Sequence, residues 1–240
     1  MKLTDYKALA FDCYGTLIDW ESGMVAGVKP LTDKLTTPLS RDQILEAHAR
    51  HESSQQAWTP GKRYSELLAI VYKRLAEEWG VSCTVADCQA YGDSVKDWPA
   101  FADSAGALQY LKKHYKLIIL SNVDNASFAA SNKRLEVEFD AIYTAEDVGS
   151  YKPSDRNFEY MLQKAADLGI APHEILHTAE SMFHDHVPAK RHGLTSCWIY
   201  RRHDKPGFGA TMNPGQLPEV EFQFNSMADL AKAHQEALRT

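Results

Sequence analysis

A chain of 240 residues is long enough to bury a full core and fits one large α/β domain with room for an inserted subdomain. Its hydrophobic fraction of 44% and charged fraction of 24% are ordinary globular values and exclude a disordered chain. A formal net charge of −6, from 26 basic and 32 acidic side chains, leaves no electrostatic footprint for nucleic acid or an anionic membrane.

Four scattered cysteines (Cys13, Cys83, Cys88, Cys197) are too few for a disulfide framework, and Cys83 and Cys88 lack the second pair that a zinc site needs. The start, Met1 to Lys7, has charges where a signal peptide carries apolar residues, and no apolar run approaches 18 residues. The expectation is a soluble, cytoplasmic protein.

The stretch from Ala8 to Asp19 opens the fold. A short apolar run before Asp12 reads as a buried strand of a parallel sheet that presents Asp12 at its carboxyl end, where ligands of open α/β sheets bind. Gly15 permits a sharp turn, and the Thr16 hydroxyl is placed to return a hydrogen bond to backbone or carboxylate. Glu21 to Leu35, Ser40 to Gln56 and Arg63 to Trp79 then space apolar residues as helices do, with Ser40 and Gln43 as a capping box and Gly80 as a stop. A fourth helix is expected from Ala86 to Ser94.

From Trp98 helix and strand alternate. Ser104 to His114, Asn125 to Arg134 and Ser154 to Leu168 read as helices; Leu117 to Leu120, Ala141 to Tyr143, Glu174 to His177 and Ser196 to Tyr200 read as strands. Arg201 to Glu219 lacks periodicity and is expected to be a surface loop, followed by a short strand near Phe222 and a helix capped by Ser226 with Asp229. The alternation predicts a parallel, Rossmann-like sheet with helices on both faces, interrupted early by an all-helical block. Residues 1–19 and 99–240 form the expected core and 20–98 the insertion.

Three further clusters carry chemistry. Ser121-Asn122 ends an apolar strand, where a hydroxyl and an amide either make a turn or hold an anion. Lys152 precedes Pro153, which fits a first helical turn and fixes the angle of the lysine. At about 4 Å and an effective dielectric near 20, a Lys152/Asp12 pair is worth roughly 4 kcal/mol before desolvation, favouring an ionised Asp12. The run His184-Asp185-His186 follows the strand that begins at Glu174 and leads towards Gly193. Adjacent residues of a regular helix do not converge on one ion, so no metal site is expected there.

Taken together, Asp12-x-Tyr14-Gly15-Thr16-Leu17, Ser121-Asn122, Lys152-Pro153 and Asp185 resemble the four signatures of the haloacid dehalogenase-like hydrolases. The resemblance implies that the strand-end Asp12 is a nucleophile and that the helical block is a cap closing over it, which excludes water. Phosphatase branches carry a second Asp at the position of Tyr14, to protonate the leaving oxygen; a halide needs no proton. The pattern is similar to the L-2-haloacid dehalogenase branch, which implies a small 2-haloalkanoic acid as substrate, an aspartyl-ester intermediate, a 2-hydroxy acid and halide as products, and no cofactor or metal. Asp12, Lys152 and Asp185 are then catalytic, and Tyr14, Thr16, Ser121, Asn122 and a cap arginine bind substrate. Arg50 is the match by position and Arg63 the alternative.

The resemblance also implies partners: a small anionic haloacid, no nucleic acid, no membrane, with a homodimer left open. Two departures stand out. Phe158 replaces a tyrosine six residues after the lysine, and Ala179 to Phe183 replaces the expected Ser and Asn, so His184 and His186 are candidate supports for ester hydrolysis. A magnesium-dependent phosphatase and a non-enzymatic metal-binding protein on the same fold are the rival readings.

Overall fold

We describe the protein from a computed structural model that defines residues 1–239. Six parallel strands form one sheet: β1 (Ala8–Phe11), β2 (Lys116–Ser121), β3 (Ala141–Thr144), β4 (Ile175–Ala179), β5 (Thr195–Ile199) and β6 (Phe222–Phe224), in the order β3-β2-β1-β4-β5-β6. Every residue of β1 is buried, because the strand is central and both faces of the sheet are covered. Side chains alternate between two cores. Leu9 and Phe11 join the one shared with the insertion, and Ala8 and Ala10 join the other, with Ile118, Phe158 and Met161.

The helices are α1 (Trp20–Thr32), α2 (Arg41–Trp58), α3 (Tyr64–Glu78) and α4 (Val85–Asp93), all between β1 and β2, then α5 (Ser104–Leu111), α6 (Asn125–Asn132), α7 (Ala145–Val148), α8 (Asp155–Asp167), α9 (Val187–Arg191) and α10 (Met227–Ala237). The Ser40 capping box forms as its sequence predicts, and Ser226 accepts from the Asp229 N–H. In α3, Tyr64, Leu67, Leu68, Val71 and Leu75 are buried. Where α4 crosses α3, a Cβ on Gly92 would stand 2.2 Å from the Ser65 carbonyl oxygen, so only glycine allows this approach.

The insertion begins and ends on a short antiparallel contact. Ile18 bridges Ala100, Asp19 N–H donates to Pro99 O (2.8 Å) and Phe101 N–H donates to Leu17 O (3.0 Å). Two sequence expectations change here. Pro153 lies ahead of α8 rather than in its first turn, in a cis Lys152–Pro153 peptide, with Ser154 as the N-cap. The stretch 201–219 forms no regular element, yet it is not a free surface loop: Arg202, Ala210 and Thr211 are buried, and the Arg202 guanidinium reaches both carboxylate oxygens of Glu21 in α1 at 2.7 and 2.9 Å. An arginine can serve as a buried anchor when a carboxylate pairs with it. Among the described residues, no helix is long and apolar enough to cross a membrane.

Candidate active site

The chain runs from β1 outward through β2 to β3, then returns to β4 on the other side of β1. A crevice opens where such a sheet reverses direction, outside the carboxyl ends of its strands. Asp12 is the first residue beyond β1 and stands in it, 7% exposed. Gly15, at φ +98°, turns the chain so that Thr16 comes back to the carboxylate: its hydroxyl donates to Asp12 Oδ2 (2.8 Å) and accepts the Glu180 N–H (2.9 Å).

Lys152 is 1% exposed, and its ammonium makes three bonds, to Asp12 Oδ1 (2.9 Å), Asp185 Oδ1 (2.7 Å) and Leu120 O (2.8 Å). These match the three donors of a lysine. The Asn122 amide clamps the lysine's backbone from both sides, donating to Lys152 O (3.0 Å) and accepting from Lys152 N–H (2.7 Å). Asn122 thereby positions the lysine, although it also borders the cavity.

Asp185 sits in a single π-helical turn, Met182–His186, begun by Ser181, whose hydroxyl accepts the His184 N–H. A π turn is the kind of irregularity that re-aims a side chain at a functional site. Asp185 Oδ1 also accepts from His177 Nε2 (2.9 Å), while its Oδ2 is buried without a hydrogen-bond partner.

One ammonium thus serves two buried carboxylates. Although burial pushes both upward, the Lys152 charge and the His177 bond hold Asp185 well below the usual carboxylate range. Burial raises Asp12 against the pull of Lys152, and the nearby Asp185 charge adds to the rise. Burial would lower the Lys152 pKa, but the two carboxylates lift it above the ordinary lysine value. Asp12 is therefore the more basic of the two carboxylates.

The ammonium stands between one oxygen of each carboxylate. A divalent ion bridging those same two oxygens would have to displace it, whereas Asp185 Oδ2 and the further lone pairs of the Asp12 carboxylate remain free as oxygen donors. Among the described residues, no three His, Cys, Asp or Glu side chains converge as a metal-binding group.

Above Asp12 the cap leaves a cavity with about 20 Å³ for the centre of a water molecule, bordered by Tyr14, Trp20, Glu52, Tyr64, Asn122 and His184 among others. That is room for one or two waters, so the cap is closed and must part to admit a substrate. The Tyr14 ring borders the cavity while its hydroxyl bonds Ser131 Oγ (2.7 Å). Ser121, 1% exposed, ends β2 with its hydroxyl unpartnered.

The two histidines expected beside Asp185 separate. His184 borders the cavity, with Nδ1 3.1 Å from Ser181 Oγ, and burial lowers its pKa. His186 turns away and donates Nε2–H to Ala179 O (2.9 Å). The histidine that does touch Asp185 is His177, which its sequence position gives only as one residue of an apolar strand. A histidine in such a run, eight positions before an acid, is the signal that could have found it.

The structure does not bring Arg50 to Asp12. Its guanidinium is half exposed and pairs with Glu78 (2.8 Å). His48 and Glu52, four residues apart, share the buried face of α2; Arg50 falls midway between them, about 200° around a helix, on the opposite side. Arg63 is more exposed still and pairs with Glu146 (2.9 Å). Neither arginine borders the cavity.

Behind Trp20 a second cavity holds Glu180 with Glu21, Arg41, Arg201 and Arg202. Burial, reinforced by the charges of Glu21 and Asp12, pushes Glu180 up to about 8. A carboxyl raised this far binds a proton in the folded state that the unfolded chain gives up near pH 4.5, so its contribution to stability is complete below that value and is lost as pH rises towards 8. Glu180→Gln is expected to flatten the fall in melting temperature between pH 5 and 8, measured against the parent across the same buffers.

Comparison with known proteins extends the geometry. A family model described as haloacid dehalogenase-like hydrolase matches residues 6–178. The chain is 30% identical to an (S)-2-haloacid dehalogenase of Pseudomonas sp. (strain YL) over 209 residues, covering 82% of this chain and 84% of that protein. Its fold is similar to that of the L-2-haloacid dehalogenase from Xanthobacter autotrophicus with chloropropionic acid covalently bound, at 18% identity and a TM-score of 0.74, covering 96% of this chain and 98% of that one. It is also similar to the HAD-hydrolase YfnB from Bacillus subtilis bound to magnesium, at 17% identity and a TM-score of 0.72, covering 95% and 97%.

Proposed function

This chain belongs to the haloacid dehalogenase-like hydrolases, and we propose that within them it cleaves a carbon–halogen bond of a small 2-haloalkanoic acid through an ester on Asp12. The observation that carries the reading is the buried Lys152 ammonium held between Asp12 and Asp185. It supplies a fixed positive charge beside the nucleophile, while Tyr14 stands where a leaving alkoxide would need an acid.

Asp12 attacks the halogen-bearing carbon from the side opposite the halogen. The carbon–halogen bond breaks with its electron pair, halide leaves, and an Asp12 oxygen becomes the ester oxygen. The attack inverts the carbon, so an L-2-halo acid gives a D-2-hydroxy acid. Each Asp12 oxygen already accepts one hydrogen bond, which fixes the plane of the carboxylate and leaves a further lone pair for attack. Water then adds to the Asp12 carbonyl carbon, the bond to the alkyl oxygen breaks, and the carboxylate re-forms. Asp185, with Oδ2 unpartnered and Oδ1 held by Lys152 and His177, accepts that water's proton and returns it to the alkyl oxygen as the hydroxy acid leaves, while the water's second proton passes to solvent as the Asp12 carboxylate re-forms. The halide, unlike a phosphate ester's alkoxide, needs no proton to leave.

The reading is tested by one turnover in heavy-oxygen water with 2-chloropropionate as substrate. Label is expected in Asp12, with unlabelled oxygen in the first 2-hydroxypropionate, and halide release is expected to survive exhaustive chelation. Label appearing directly in that first product would defeat the ester scheme. Activity confined to aryl phosphates and restored by magnesium would instead favour the phosphatase reading, which the similarity to magnesium-bound YfnB keeps in view.

A further inference from the structure

A plain haloacid would bring a carboxylate into a cavity whose border holds more acidic than basic side chains. Its border carries three carboxylates, Asp12, Glu52 and Asp185, against one cation, Lys152, whose three donors are spent. His184 is kept neutral at pH 7 by burial. The cap side of the site thus offers an acid, Glu52, and no arginine.

Glu52 is 4% exposed, although carboxylates are rarely buried without a partner. Its partners in the protein are Gln56 Nε2, which donates to Oε1 (3.0 Å), and His48 Nδ1, 3.3 Å from Oε2. His48 is itself held by the Tyr91 hydroxyl at Nε2 (2.6 Å). The cluster is assembled at helical i, i+4 spacing on the face of α2 turned to the cavity, with the Tyr64 phenol within reach of the Glu52 charge. Glu52 thus faces the cavity with Gln56 and His48 but no lysine or arginine on it, and a carboxylate so placed can accept a cationic group of a ligand.

We propose that Glu52 is the subsite for a protonated amine, so that the preferred substrate is a small halogenated acid carrying an ammonium group that reaches the cap. The ammonium answers Glu52, the halogen-bearing carbon meets Asp12, and the carboxylate lies at the sheet end of the site, near Ser121. Displacement at Asp12, as set out above, is taken as given. The subsite decides which electrophile is presented to it.

The test compares 2-chloropropionate with 3-amino-2-chloropropionate, which differ by one ammonium and share carbon skeleton, carboxylate and halogen. Ester formation on Asp12, read by intact-protein mass spectrometry, and halide release are followed for the parent and for Glu52→Gln, which keeps the shape and removes the charge. The parent is expected to favour the amino compound by about ten- to a hundredfold in kcat/KM, the range of a charge-assisted bond, and Glu52→Gln to reduce that ratio to within about threefold.

A purely structural Glu52 would slow both substrates equally and leave the ratio unchanged, which would overturn the proposal. Equal use of both substrates by the parent would do the same while leaving the ester mechanism intact. In case the variant does not fold, the parent alone is titrated with 3-aminopropionate and propionate by calorimetry. Tighter binding of the amino acid supports the subsite, and equal or weaker binding sinks it. If no compound esterifies Asp12, the displacement reading fails, whereas the calorimetric comparison still decides the charge preference.

Discussion

Asp12→Asn is expected to abolish turnover, by about 10⁴-fold or more, while leaving the melting temperature unchanged or raised. Removing a covalent nucleophile takes away the whole reaction path rather than one stabilising contact, which accounts for the size of the loss. The stability result follows from electrostatics. Two buried carboxylates share a single ammonium, and Asp12 is the one that burial and the neighbouring Asp185 charge push upward. Its ionised form is held at a cost in the folded state, and a neutral amide of the same shape avoids that cost. Halide release under saturating substrate and a calorimetric scan near pH 7 check both halves. A melting temperature lowered by more than a few degrees would show that Asp12 stabilises the fold.

Lys152→Met should behave in the opposite way for stability and the same way for activity. Removing the ammonium leaves Asp12, Asp185 and the Leu120 carbonyl without their donor in a buried site. Breaking a buried charge pair by deleting one partner costs about 3–5 kcal/mol, which for a chain of this size lowers the melting temperature by roughly 6–20 °C. Met matches the length of the lysine stem, so the effect reports the lost charge more than a cavity. The sign with pH is also fixed. Asp185 is held low by Lys152 in the folded protein, so its stabilisation is present above the unfolded pKa, about 3.9, and is lost as pH falls below that value. Without Lys152 that pull is gone, and acidification towards pH 4 should recover part of the variant's stability by neutralising the two carboxylates. A variant as stable as the parent at pH 7 would mean that the two carboxylates shed their charge or rearrange without the ammonium.

The order of strands and helices, the parallel sheet and the early helical insertion were legible in the sequence because they rest on local periodicity. An apolar run flanked by turn residues has few alternatives in a buried sheet, and the spacing of Tyr64, Leu67, Leu68, Val71 and Leu75 allows only one buried helix face. Asp12 was legible at the end of the first strand because the carboxyl edge of a parallel sheet is where ligands bind, whereas Asn122, Lys152 and Asp185 stood out only through the resemblance of their motifs to the four signatures of the family.

The partners of those residues belong to the tertiary structure. His177 reads as one more residue of a buried strand until β4 and the π turn bring it to Asp185. Arg50 matches by position the cap arginine that the family resemblance implies, but the rotation of α2 puts Glu52 at the cavity instead, two residues and about 200° away. Arg202, in a stretch without periodicity, becomes a buried anchor only because α1 brings Glu21 to it. Composition and periodicity fix which face of an element is apolar. Which polar side chain on a buried face looks into a site depends on the rotation and docking of whole helices, to which contacts distant in sequence contribute most.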